Sequence, residues 1–196
     1  MTEKLSPGRA QIKKDFQSVS IEIPAKRNWF AIIFIIFWSV GWLFGEVSVL
    51  TILLNDDSPL GAKSFFIVWL IFWTIGGLTA LSTILWQLFG KEIIRIERNI
   101  LHLEKSVFGI GRQKEYNIKD IKNLAINPVG DMNVWGRKNY FSFFGNKNGK
   151  LKFDYGMKTI KFANDIDEAE ARKLLDLFKS NPHFRRENFL QTNDHF

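Results

Sequence analysis

The chain has 196 residues, with 27 Lys and Arg against 20 Asp and Glu, and its formal net charge of +7 raises nucleic acid and anionic membrane as partners to weigh. It has no cysteine, which excludes disulfides, thiolate metal sites and cysteine nucleophiles. The length fits one membrane hairpin plus one small domain.

Residues 1–28 are polar and carry six bases and three acids. That composition, and the length of the apolar segment behind it, argue against a cleaved signal peptide, so the first apolar segment is expected to be retained. Within "SVSIEIP", Val19, Ile21 and Ile23 alternate with Ser18, Ser20 and Glu22, which predicts a strand over 18–23 with one apolar face. A lone strand does not persist in water, so it is expected to pack on or pair with the C-terminal domain and restrain that domain against the hairpin.

Two apolar segments follow, 29–54 and 64–89, separated by "NDDSPLGAK". Neither contains Lys or Arg, and Glu46 is their one acid. Each exceeds the ~20 residues needed to cross a bilayer, and at about 1.5 Å per residue each outruns a ~30 Å hydrocarbon core. They read as two transmembrane helices, tilted or with interfacial ends. Residues 46–63 carry one base and three acids, whereas 91–196 carry twenty bases and fourteen acids. Basic flanks stay on the cytoplasmic side, so the chain is expected to cross the cell (inner) membrane twice, with both ends in the cytoplasm and 55–63 outside.

The phrase "FWSVGWL" at 37–43 returns as "FWTIGGL" at 72–78. Helix association in lipid relies on close packing, for which Gly and Ala leave gaps that bulky side chains fill. If residues 29 and 89 lie level in an antiparallel pair, Trp38 faces Ala80, Trp73 faces Gly45, and Gly41 meets Gly77 near the crossing. The expected packing set is therefore Trp38, Gly41, Gly45, Trp73, Gly76, Gly77 and Ala80, with a local two-fold between tryptophan knobs and small-residue gaps. Glu46 lies about 25 Å along its helix from Trp29, so an interfacial or helix-bonding role is favoured over proton or ion translocation.

From residue 90 the pattern changes to short alternating runs, the signature of half-buried strands. "EIIRIER" turns at Asn99 into "ILHLEKSVFG"; "RQKEYNI", "IKNLAINP", "NYFSFFG", "KLKFDYG" and "MKTIKFA" supply five more, with turns at Asn148-Gly149 and Tyr155-Gly156. "NDIDEAEARKLLDLFKS" then reads as a helix behind an Asn or Asp cap, with Ile166, Ala169, Leu174, Leu177 and Phe178 near one face. Its acids come first and its bases last, the order the helix dipole favours. Residues 181–196 are expected to form a flexible tail.

Seven antiparallel strands, as a sheet or barrel closed by a C-terminal helix, is the order of a pleckstrin-homology-like (PH-like) domain. The chain resembles bacterial membrane proteins of unknown function that carry two transmembrane helices and then a PH-like domain. The resemblance rests on "IPAKRNWF", the "FWSVGWLFGE" and "FWTIGGL" pair, "LWQLFGKEIIRI" and "KFDYGMKTIKFANDIDEAEARKLLDLF", and it spans about residues 18–180. It implies an α+β membrane protein divided at 1–28, 29–89, 90–180 and 181–196. Phosphoinositide binding, known in eukaryotic PH domains, is not carried over, because the connection at Asn99 is too short for a phosphate-cradling loop.

Catalytic signals are absent from the motifs. His102, His183 and His195 have no second ligand at metal spacing, "GIG" at 109–111 reads as a turn, and the acids at 165–170 open a helix. No enzyme, metal or cofactor is expected, and nucleic acid is set aside for want of an RNA-binding aromatic signature or a helix-turn-helix. The function this predicts is a membrane-anchored, non-enzymatic module that binds a protein partner or anionic membrane lipids, with Lys26, Arg27, Lys91, Arg95 and Arg98 as candidate headgroup contacts. An accessory subunit of a larger membrane complex, docking through the aromatic hairpin, is the alternative. An enzyme or transporter component ranks last.

Overall fold

The computed structural model describes residues 2–4, 8–14, 18–54, 60–127 and 149–190, and the chain divides into two compact units, 27–88 and 1–26 with 89–196.

The first unit is a pair of long apolar helices, α1 (Trp29–Leu54) and α2 (Leu60–Phe89). Both are long and apolar enough to cross a membrane. Their outer surface is apolar on every side, with Phe30, Phe37 and Phe44 on α1 and Phe65, Phe72 and Ile75 on α2 exposed. Asn28 caps α1 by accepting from the Ala31 N–H at 3.2 Å, and the Arg27 guanidinium donates to the Leu88 carbonyl at 3.2 Å, where the end of α2 is electronegative. Hydroxyls along both helices donate to the carbonyl four residues back, as Ser39 does to Ile35, Ser48 to Phe44, Thr79 to Ile75 and Ser82 to Leu78. Such side chains need no water.

In the second unit, strands β1 (Thr2–Lys4), β2 (Gln11–Lys14) and β3 (Ser18–Pro24) precede α1. After α2 come β4 (Gly90–Glu97), β5 (Ile100–Val107), β6 (Ile110–Asn117), β7 (Ile121–Ile126), β8 (Leu151–Tyr155), β9 (Lys158–Phe162) and helix α3 (Glu168–Ser180). The strand expected at 18–23 is β3, and it pairs antiparallel with β4 from Ser18 opposite Glu97 to Pro24 opposite Lys91.

The expected single sheet or barrel of seven strands is corrected. Among the described residues the strands form two open antiparallel sheets, β1 to β6 in chain order and β7 to β9. The polar segment before α1 contributes three strands to the larger sheet, while "NYFSFFG" lies outside the described residues. Alternation buries Ile21, Ile23, Ile94, Ile96, Leu101 and Leu103 from one sheet with Leu151, Phe153 and Phe162 from the other, and α3 adds Leu174 and Phe178 to the same core. On α3 it is Ala171, not Ala169, that turns inward, and Ile166 is buried just before the helix.

Asp167 is the cap of α3, in a capping box: its carboxylate accepts from the Glu170 N–H at 2.7 Å, and Glu170 accepts from the Asp167 N–H at 3.1 Å. Gly149 serves a close approach, since a side chain there would strike the Phe162 backbone. The tail expectation also needs correction over 181–190. Phe184 is buried, and the buried Asn188 amide donates to the carbonyls of Ile118 and Ile121, each at 2.8 Å. Residues 191–196 lie outside the described residues.

Candidate functional site

The helix pair is locked by two tryptophans. Trp42 Nε1 donates to the Trp73 carbonyl at 3.0 Å, and Trp73 Nε1 donates to the Trp42 carbonyl at 3.2 Å. Each indole also covers a glycine of the other helix. A Cβ built on Gly77 would overlap the Trp42 ring, and one on Gly45 would touch Trp73 at 3.4 Å. Trp69 stacks on Trp73 with ring centroids 4.6 Å apart, and Trp38 approaches the same ring at 6.2 Å.

The depth register expected from the sequence therefore places Trp73 at Gly45, but the partner of Gly77 is Trp42, which the sequence reading did not single out. Gly41 and Gly76 are corrected as packing residues, because a Cβ on either would meet open space. One residue is about 100° of helix rotation, so Gly76 and Gly77 cannot face the same neighbour. Trp38 sits against Trp73, and Ala80 is half-buried. The reciprocal contacts are Trp42 with Gly77 and Trp73 with Gly45, so the packing uses the second tryptophan of "FWSVGWL" and the first of "FWTIGGL" rather than equivalent positions of the phrase.

Glu46 meets the other helix at Thr74: the Thr74 hydroxyl oxygen lies 2.6 Å from Glu46 Oε1 and 2.8 Å from the Leu70 carbonyl, and its single proton is shared between these two acceptors. The second carboxyl oxygen, Oε2, is enclosed without a partner among the described residues.

The proposed headgroup cations do not gather in one place. Lys26 is exposed, and Arg27 is engaged with the α2 terminus. Lys91 lies 3.9 Å from Glu22, whose carboxyl is held below the ordinary range first by the hydrogen bond from Lys13 and then by the charges of Lys91, Lys13 and Arg95. Arg95 lies midway along β4, opposite His102 and Ser20. Arg98 is in the turn that closes β4, at the end opposite Gly90, with a φ of 46° and Glu97 at 3.8 Å. At about 3.3 Å per residue that separates Arg98 from Gly90 by roughly 26 Å.

Glu92 is one of two buried glutamates among the described residues of the sheet unit. It accepts from the Ala163 N–H at 3.2 Å, the Asn164 N–H at 3.0 Å and Asn164 Nδ2 at 3.2 Å, which pins the connection between β9 and α3. Desolvation pushes its carboxyl above the ordinary glutamate range, against the opposing pull of Lys105 and these N–H donors. Glu170, equally buried, accepts from the Ala10 N–H at 3.0 Å as well as from Asp167, so one carboxylate holds the N-terminal segment and the start of α3 together.

His102 is half-buried on β5, 2.9 Å from Gln113 Nε2 and 3.5 Å from Glu115. Among the described residues no group of three or more His, Asp or Glu is placed to hold a metal. Family models, curated proteins and solved structures were compared with the chain, and none matches.

Proposed function

We propose that the chain is a membrane-anchored, non-enzymatic module of the bacterial two-helix, PH-like kind. Its helix pair crosses the cell membrane twice, and its sheets act at the cytoplasmic surface, binding a protein partner or anionic lipid. The observation that carries this reading is the tethering. Only residues 25–28 separate β3 from α1, nothing separates α2 from β4, and the Ala25 N–H donates to the Gly90 carbonyl at 2.9 Å where the two passages meet. Chain connectivity then keeps the first residues of β4 within reach of the headgroups, where each Lys or Arg gains about 1 kcal/mol near an anionic surface. The apolar outer surface of the helices supports the same reading, since an exposed face of that extent is unstable in water.

Amide exchange of the full chain in nanodiscs tests it. Anionic lipid should slow exchange around Lys91 relative to phosphatidylcholine alone, and rising salt should reverse the effect. Identical exchange in both lipids would leave the protein partner as the counterpart. The exposed aromatic surface also suits the alternative, an accessory subunit docking through its hairpin. Native mass after gentle extraction separates the two, because a lone monomer contradicts the subunit reading.

A further inference from the structure

The turn between β5 and β6 has features that the core does not explain. Phe108 and Ile110 are 65% and 83% exposed, although the neighbouring Leu101 and Leu103 point into the core. Phe108 also has a φ of +53°, in a two-residue turn whose first position favours Asn, Asp or Gly. A bulky aromatic there is strained, and strain of this kind collects at functional positions.

The position of the turn indicates what it meets. Val107 pairs with Gly90, so the tip stands beside the residue that directly follows the apolar helix, and the Phe108 ring lies 4.3 Å from that of Phe89. Two residues back along each strand, Lys105 and Arg112 are directly opposite each other. Facing like charges destabilise a sheet unless an anion lies nearby; Lys105 has Glu92 opposite it on its other side, whereas Arg112, at the edge of the sheet, has no ion-pair partner among the described residues. An apolar tip with cations about 7 Å behind it matches the layering of a membrane surface, where side chains enter the acyl boundary and bases stay at the phosphates.

We propose that the β5–β6 tip is a lipid-binding element: Phe108 and Ile110 insert into the interfacial zone of the membrane that the helices cross, and Lys105 and Arg112 share a lipid phosphate. The inference rests on the membrane-anchored reading above. It places lipid contact at this hairpin rather than at Arg95 and Arg98.

The absence of cysteine makes a direct test simple. Nitroxides are attached to single cysteines at Phe108→Cys, Ile110→Cys, Met157→Cys and Phe72→Cys in the full chain, in nanodiscs of phosphatidylcholine with phosphatidylglycerol. Positions 108 and 110 should be relaxed more by dissolved oxygen than by a water-soluble nickel chelate, as position 72 is, while 157 behaves as water-exposed. Water-like accessibility at 110 with lipid-like accessibility at 72 overturns this inference alone. Water-like accessibility at 72 overturns the membrane reading and this inference with it. Shielding of 110 from both reagents identifies a protein contact and also overturns it. Phe108→Asn, which suits the turn, should leave thermal stability unchanged or raised and still move position 110 toward water. Added salt should reduce the oxygen-to-nickel contrast at position 110 while Lys105 and Arg112 are present, and the Lys105→Gln, Arg112→Gln double variant should show the reduced contrast already at low salt with no further salt dependence; a contrast unaltered by salt and by the double substitution overturns the phosphate contact.

Discussion

Single side chains in this protein hold together segments far apart in sequence. Glu92 is the clearest case, and its burial gives a signed pH dependence. Because its carboxyl is raised in the folded state, its contribution to stability is complete below the ordinary glutamate range and is lost as pH rises through the raised value. The stability of the wild type should therefore fall, relative to Glu92→Gln, as pH rises over that interval, measured by thermal unfolding of the strand signal in detergent; a difference that does not change with pH contradicts this. Glu170→Ala removes a capping-box partner and frees the Ala10 N–H, so a loss of about 1–3 kcal/mol is expected, with faster amide exchange at residues 9–12 as its marker. Neither role was legible in the sequence. A glutamate at an alternating strand position reads as solvent-facing until the other sheet is known to cover it.

The elements were more legible than their partners. Alternation identified β3 to β9 where they are described, because half-buried strands record their inner face in sequence. β1 and β2 left almost no such record, since Ile12 is the only apolar residue in "QIKK" and the pairing with β3 supplies the rest. A repeated phrase in a helix does not reveal its packing, because packing depends on which face each residue occupies. Here the structure makes a sharp prediction. Gly77→Ala drives a methyl into the Trp42 indole and should weaken the helix pair by about 1–3 kcal/mol, whereas Gly76→Ala, facing open space, should be close to neutral. Trp73→Phe loses one donor at a cost of about 0.6 kcal/mol. Steric trapping of the hairpin in micelles would rank the three, and equal effects of the two glycine changes would contradict the interlock.

At the scale of the whole molecule, the sequence showed an apolar hairpin and a polar α+β unit, and the structure adds how the chain joins them. The strands on either side of the helices, β3 and β4, are paired neighbours, so the unit is completed by residues that precede the hairpin and cannot form its full six-stranded sheet without them. The tail was illegible for a similar reason: Phe184 and Asn188 are isolated in sequence and acquire partners only through the fold. The central claim is that the helix pair crosses a membrane twice and leaves both flanking segments on one side. Single cysteines introduced as Lys26→Cys, Asp57→Cys and Met157→Cys, reacted with a membrane-impermeant thiol reagent in sealed vesicles of known orientation, measure this directly. The account predicts that positions 26 and 157 react from the same face and position 57 from the other, while reaction of all three from a single face would contradict it.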